Sequence, residues 1–169
     1  MSNVVDEHRS TSPDAIACAI LTVSDSRTLE TDTGGQLLCD LLGEAGFSVV
    51  AREIIPDEPD RMRPMLEQWR DDESIAAVLL TGGTGLSHRD QTFETVSGLL
   101  SKPLPGYGEL FRALSYAEIG PAAMLSRAVG GLMRRTVVLT MPGSPAAVRL
   151  AVEKIIAPEL RHLVREATR

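Results

Sequence analysis

The chain has 169 residues, of which 43% are apolar, 24% charged and 4% aromatic; this is the composition of one globular domain on an aliphatic core, with no room for two ordinary domains. A formal net charge of −6 leaves no basic surplus to displace counterions from a phosphate backbone, which excludes nucleic acid as a partner. No stretch approaches about 20 apolar residues, and residues 1–13 lack the basic and apolar regions of a signal peptide, so neither membrane nor export is expected and the chain reads as cytoplasmic.

Residues 1–14 read as a flexible polar tail and residues 15–169 as a single domain. Residues 15–23 are an unbroken apolar run ending in Ser24-Asp25-Ser26-Arg27, the pattern of a strand buried on both faces that emerges into a polar loop. Asp32-Thr33-Gly34-Gly35 can cap a helix with Leu37, Leu38, Leu41, Leu42 and Ala45 on one face, stopped by Gly46. Residues 47–55 form the second strand. Pro56-Asp57-Glu58-Pro59-Asp60 breaks it and opens a helix in which Met62, Met65, Leu66 and Trp69 recur at i, i+3, i+4 and i+7.

Residues 75–81 are the third strand, and Phe93, Val96, Leu99 and Leu100 mark the next helix. Residues 101–108 read as a Pro/Gly loop; Leu110, Phe111 and Leu114 begin another helix, Gly120-Pro121 interrupts it, and residues 122–129 restart it. Residues 136–140 are a further strand; a short one around residues 129–132 fits the pattern, with Gly130-Gly131 leaving its register open. Ser144 is placed to cap the last helix and Pro145 to begin it, while Pro158 should kink or restart that helix. The order β-α-β-α-β-α favours a largely parallel sheet with helices on both faces and right-handed crossovers. Cys18 and Cys39 read as small core residues, and His8, His88 and His162 have no zinc-ligand spacing.

The run from Val78 to Asp90, with Thr81-Gly82-Gly83-Thr84-Gly85 at its centre, carries the most chemistry. Glycines can turn consecutive N–H groups into one concavity, threonines add hydroxyls at its rim, and Asp90 offers a carboxylate to a metal ion or a substrate. A tight strand-to-helix turn would explain the glycines alone, but it needs neither two threonines nor Arg89-Asp90. The P-loop pattern fails for want of a Lys-Ser or Lys-Thr, and GxGxxG fails after Gly85. In a parallel sheet the strand-to-helix loops emerge at one edge, which would gather Ser24-Asp25-Ser26, Pro56-Asp57-Glu58, residues 81–90 and Pro142-Gly143-Ser144 into one cleft. Singly, Asp25 can close a turn, Asp57 can cap a helix and Ser144 can cap the next. Together they offer donors for several phosphates and two acids for Mg²⁺, the requirements of transfer between phosphates. No Ser-His-Asp or Cys-His arrangement competes.

With Leu21-Thr22-Val23-Ser24-Asp25-Ser26, Pro56-Asp57-Glu58, the Gly-rich loop with Arg89-Asp90, Ala123-Met124-Leu125-Ser126-Arg127-Ala128 and Met141-Pro142-Gly143-Ser144 in this order, the chain resembles the MogA/MoaB family of molybdenum cofactor biosynthesis, which includes the gephyrin G domain. The resemblance spans roughly residues 16–163, far more than any single motif. It implies a three-layer α/β/α sandwich, usually a homotrimer with a hexamer of paired trimers as the alternative, that adenylylates molybdopterin with Mg-ATP and releases pyrophosphate. Hand-over of product to a molybdenum-insertion protein is implied as well. By motif match Asp57 and Asp90 would serve as catalytic acids and Mg²⁺ ligands. Ser24, Asp25, Thr81, Gly82, Gly83, Thr84, Gly85, Ser115, Pro142, Gly143 and Ser144 would border nucleotide or pterin. Family members commonly carry RDxTPE, whereas here Arg89-Asp90-Gln91-Thr92 is followed by Phe93-Glu94. Residues 114–120 and 155–158 look closer to the MoaB branch. Two functions follow: an adenylyltransferase, or a carrier or scaffold that binds molybdopterin in the same pocket without turning over ATP.

Overall fold

The computed structural model describes residues 16–169, so the predicted tail over residues 1–14 lies outside the described residues. Strand β1 (Ala17–Val23) is followed by α1 (Thr33–Glu44), β2 (Ser48–Ile55), α2 (Pro59–Asp71), β3 (Ala77–Thr81) and α3 (Thr92–Leu99). Then come β4 (Lys102–Pro103), α4 (Pro105–Ile119), a 3₁₀ turn (Gly120–Leu125), β5 (Gly130–Met133), β6 (Thr136–Met141), α5 (Pro145–Ala151), a π turn (Val152–Ile156) and α6 (Ala157–Thr168). The six strands lie in one sheet in the order β2-β1-β3-β6-β5-β4. The first four in that order are mutually parallel, and β5 and β4 add an antiparallel edge. The expected α/β fold with a mostly parallel sheet is what the chain adopts.

Alternation along β1 builds two cores, because successive strand side chains point to opposite faces. Cys18 and Ile20 join Leu38, Leu42, Phe111, Val148 and Leu160 on one face. Ala19 and Leu21 join Met62, Leu66, Trp69 and Val96 on the other. Both cysteines are free, and burial pushes the Cys18 thiol up to about 12.

Three local readings change. Residues 101–108 are not a plain loop: Lys102 and Pro103 pair with Leu132 and Gly131, and α4 begins at Pro105, whose missing N–H costs nothing in a first helical turn. Residues 122–129 do not restart an α-helix; Met124 and Leu125 stand exposed, so no buried stripe sustains one, and the chain runs from the 3₁₀ turn into an extended segment. Around Pro158 the reading of a kink or restart is refined: the helix passes through the π turn and restarts as α6 at Ala157, with Pro158 in its first turn, where the missing N–H is tolerated.

Candidate functional site

Because β1, β2, β3 and β6 run in parallel, the loops that follow them leave from the same edge of the sheet, and hydrogen bonds tie them together. Ser24 N–H donates to the Ile55 carbonyl at 2.9 Å and Gly82 N–H to the Met141 carbonyl at 3.0 Å. The buried Thr81 hydroxyl donates to the Pro142 carbonyl at 3.2 Å, so it fastens β3 to the last loop. Gly82 has φ +100°, and a Cβ there would stand 2.3 Å from the Val23 carbonyl oxygen.

Asp57 does not cap α2. The capping position belongs to Glu58, which makes no side-chain cap bond, while Asp57, 5% exposed, turns toward the Gly-rich loop. Its Oδ1 accepts the Gln91 N–H at 3.0 Å. Its Oδ2 lies under Gly83, where a Cβ would come within 2.4 Å of it. Asp57 N–H in turn donates to Asp25 Oδ1 at 3.1 Å. Asp25 also accepts from Arg89 Nε and Nη2, both at 2.7 Å, and Arg89 with the Asp57 N–H holds the exposed Asp25 carboxyl down to about 2. Asp57 is shifted the other way: burial raises it most, the charges of Asp90 and Asp25 add to the rise, and the Gln91 N–H and Arg89 oppose it. Asp90 is half-buried; its Oδ2 accepts the Ser87 N–H at 3.0 Å, closing the turn that presents it.

Among the described residues the N–H groups of Gly83, Thr84 and Gly85 have no protein acceptor, nor do those of Gly143 and Ser144. Three consecutive free N–H groups in a loop that enters the left-handed region at Gly83 (φ +65°) form an anion-ready concavity. Gly83, Thr84, Gly85, Asp90, Pro142 and Gly143 line an open cleft of about 370 Å³, whose other side is Ile119, Ala122, Leu125 and Ser126. Loop backbone and one acid therefore share the cleft with the apolar side chains of Ile119, Ala122 and Leu125. The Ser144 hydroxyl is engaged, accepting the Ala147 N–H at 3.3 Å. The Ser24 hydroxyl likewise accepts from Ser26 and Arg27 N–H. Ser115 is buried in α4 and does not line this cleft.

Two features escaped sequence reading. Asp32 caps α1 through the Gly35 N–H at 2.9 Å, as the pattern suggested. The same carboxylate also accepts from the Thr22 hydroxyl at 2.7 Å and from Arg52 at 3.2 Å, a buried cross-link between β1, β2 and α1 under the cleft. Arg127, visible beforehand only as a letter of one motif, reaches Gly85 and Asp90 in the Gly-rich loop. Among the described residues no three His, Cys, Asp or Glu side chains are grouped to hold a metal by themselves. Two carboxylates beside free N–H donors fit an ion that completes its shell with phosphate oxygens and water, as Mg²⁺ prefers.

Fold and cleft define a class: a doubly wound α/β domain with an anion-ready cleft at the carboxyl edge of its sheet, where the strand order reverses between β1 and β3. A family model described as "Probable molybdopterin binding domain" matches residues 19–162. Molybdenum cofactor biosynthesis protein B of Bacillus subtilis (strain 168) is 50% identical over 163 residues, 96% of each chain. A crystal structure of a molybdenum cofactor biosynthesis protein B superposes with a TM-score of 0.90 at 49% identity, covering 94% of this chain and 99% of that one. The tungsten cofactor synthesizing protein MoaB from Pyrococcus furiosus superposes at 0.84 with 33% identity, covering 94% and 100%. The chain belongs to the MogA/MoaB family of molybdopterin-binding-domain proteins, in its MoaB branch.

Proposed function

We propose that the chain acts in molybdenum cofactor biosynthesis as a molybdopterin adenylyltransferase, joining the terminal phosphate of molybdopterin to the adenylyl group of ATP and releasing pyrophosphate. The observation that carries this reading is the buried Asp57 carboxylate, held by the Gln91 N–H within the loop that presents Asp90. A pocket that only binds polyanions has no use for two acids in one loop region, Asp90 lining the cleft and Asp57 buried against the loop, since each repels the ligand and one is costly to bury. Mg²⁺ held by Asp57 and Asp90 would supply the neutralising charge that lets one phosphate approach another. The protein's part is positioning. The free N–H groups of Gly83–Gly85 and of Gly143 and Ser144 receive phosphate oxygens, and Ile119 and Leu125 offer an apolar bed to a planar ring.

A phosphate oxygen of the pterin attacks the α-phosphorus; the bond to the bridging oxygen breaks, and that oxygen leaves with pyrophosphate. The nucleophile is already anionic, so no strong general base is required. Exposed Tyr116, Ile119 and Met124 on α4 and the 3₁₀ turn support self-association of the chain, for which the family resemblance implies a homotrimer. The test is pyrophosphate release from Mg-ATP with and without molybdopterin, for the wild type and Asp90→Asn. The expected result is molybdopterin-dependent release, reduced about 100-fold or more in Asp90→Asn with pterin binding retained. Tight pterin binding without release would replace this reading by the carrier function.

A further inference from the structure

Arg127 lies in the extended segment between the 3₁₀ turn and β5, and it touches the Gly-rich loop at three points and α3 at a fourth. Its backbone N–H donates to the Thr84 carbonyl at 3.0 Å. Nε donates to the Gly85 carbonyl at 2.8 Å and Nη2 to the Asp90 carbonyl at 3.1 Å. Nη1 pairs with Glu94. The guanidinium also sits over the Phe93 ring, 5.2 Å from its centroid, at the position where RDxTPE would place proline. The segment that carries it is itself fastened, because Arg112 donates to the Ser126 and Ala128 carbonyls.

The Asp90–Gln91 peptide joins this clamp to the acids. A trans peptide is planar with its C=O and N–H pointing in opposite directions. Arg127 holds the carbonyl side of this unit, and the Asp57 carboxylate accepts from its N–H side. Rotating that plane would move the donor away from Asp57 and swing the Asp90 backbone at the same time. An ion pair with Glu94 alone would be worth little at a half-open position. The two carbonyl bonds use the guanidinium fork in a geometry that an ammonium group cannot span.

We propose that Arg127 is the positioning residue of the site, setting the Asp57 carboxylate relative to Asp90 by fixing the plane of the Asp90–Gln91 peptide. The proposal rests on reading those two carboxylates as the working acids. It is tested on the full chain with Arg127→Lys and Arg127→Ala, using Mg²⁺, ATP and molybdopterin. Pyrophosphate release is measured alongside amide hydrogen exchange along the chain.

The expected result for Arg127→Ala is a loss in kcat of about 100-fold with KM for ATP changed less than about tenfold, since displaced groups penalise the transition state more than binding. Arg127→Lys, which keeps the charge but not the fork, should stay at least about tenfold below wild type. Exchange should quicken over residues 85–92 in both variants while β1 and α6 keep their protection. A lysine variant with wild-type kcat overturns the proposal, as does a loss confined to KM. Unchanged exchange over residues 85–92, or exchange quickened uniformly along the chain, overturns it equally. If the wild type releases no pyrophosphate, the adenylyltransferase reading fails and the exchange profile alone decides the role of Arg127.

Discussion

Replacing Gly83 by alanine places a methyl group 2.2 Å from Thr92 Oγ1 and 2.4 Å from Asp57 Oδ2, with Asp57 Cγ at 3.1 Å. Neither neighbour is the free end of a long side chain. Thr92 is fully buried, and Asp57 is tethered by the Gln91 N–H. The residue also occupies the left-handed region at φ +65°, where a Cβ costs about 1–2 kcal/mol. Crowding adds about 1–3 kcal/mol if the loop shifts as a body. If Asp57 swings away instead, the charge-assisted bond it loses is worth about 1.5–3 kcal/mol. Either route gives a destabilisation of about 2–5 kcal/mol, a large fraction of the 5–15 kcal/mol that holds a typical domain. Gly43, near the end of α1 with nothing within 4 Å of its would-be Cβ, is the opposite case, and Gly43→Ala should gain about 0.5–1 kcal/mol. Equilibrium urea unfolding of both variants reads these differences as shifts in midpoint at constant slope. A Gly83→Ala protein within about 1 kcal/mol of wild type, and as active, would show that the loop is free to move away from Asp57, refuting the packing argument.

The remaining predictions concern groups whose burial sets their behaviour. Asp57→Asn should raise the melting temperature at pH 7, because a carboxyl raised by burial in the folded state destabilises the fold when ionised and ceases to do so once protonated in both states. The gain should therefore vanish as pH falls below the unfolded value of about 3.9, each 1 kcal/mol being worth about 2–4 °C in a chain of this size. An Asn variant that is no more stable at pH 7, or whose gain persists at pH 3, would contradict that sign. Alkylation of the native protein at pH 8 should modify half-buried Cys39 and spare Cys18, whose thiol is fully buried and raised to about 12. Labelling of both at one rate would show that the sheet opens far more readily than its packing implies.

Hydrophobic periodicity was enough to read β1, β3 and β6, which are buried on both faces, and the helices between them, which bury one continuous stripe each; β2, an edge strand with most positions open, was bounded instead by Gly46 and Pro56. Periodicity failed where structure depends on a distant partner. The pairing of Lys102 and Pro103 with Leu132 and Gly131 spans about thirty residues and leaves no local pattern. Residues 122–125 are rich in helix formers, yet Met124 and Leu125 find no surface to cover. The site was legible as types and spacing: a Gly-rich loop after a buried strand and an acid after a proline both declared themselves. Asp57 could not be separated from a helix cap by sequence, because the choice turns on the Gln91 N–H, 34 residues away. Nor could the Asp32–Thr22–Arg52 cross-link be read, since its members lie on three elements.

The glycines of the loop acquire a different meaning from that geometry. Sequence reading assigns them to a ligand, as residues that let phosphates approach the backbone. Gly83 and Gly85 are instead required first by the protein's own acids: a Cβ at Gly83 would strike Asp57, and one at Gly85 would stand 2.8 Å from Asp90 Oδ2. Burying one acid and bringing a second against the same loop is unfavourable: burial raises the Asp57 carboxyl most, and the charge of Asp90 adds to the rise. Such an arrangement persists only where surrounding structure enforces it, here through the Gln91 N–H, the Asp25–Arg89 pair and the Arg127 clamp. The free N–H groups of Gly83–Gly85 then follow from the same turn, because a loop folded around two acids directs its remaining donors outward into the cleft. Acid placement and the row of free N–H groups are one backbone conformation, and a substitution that relaxes the first should disturb the second.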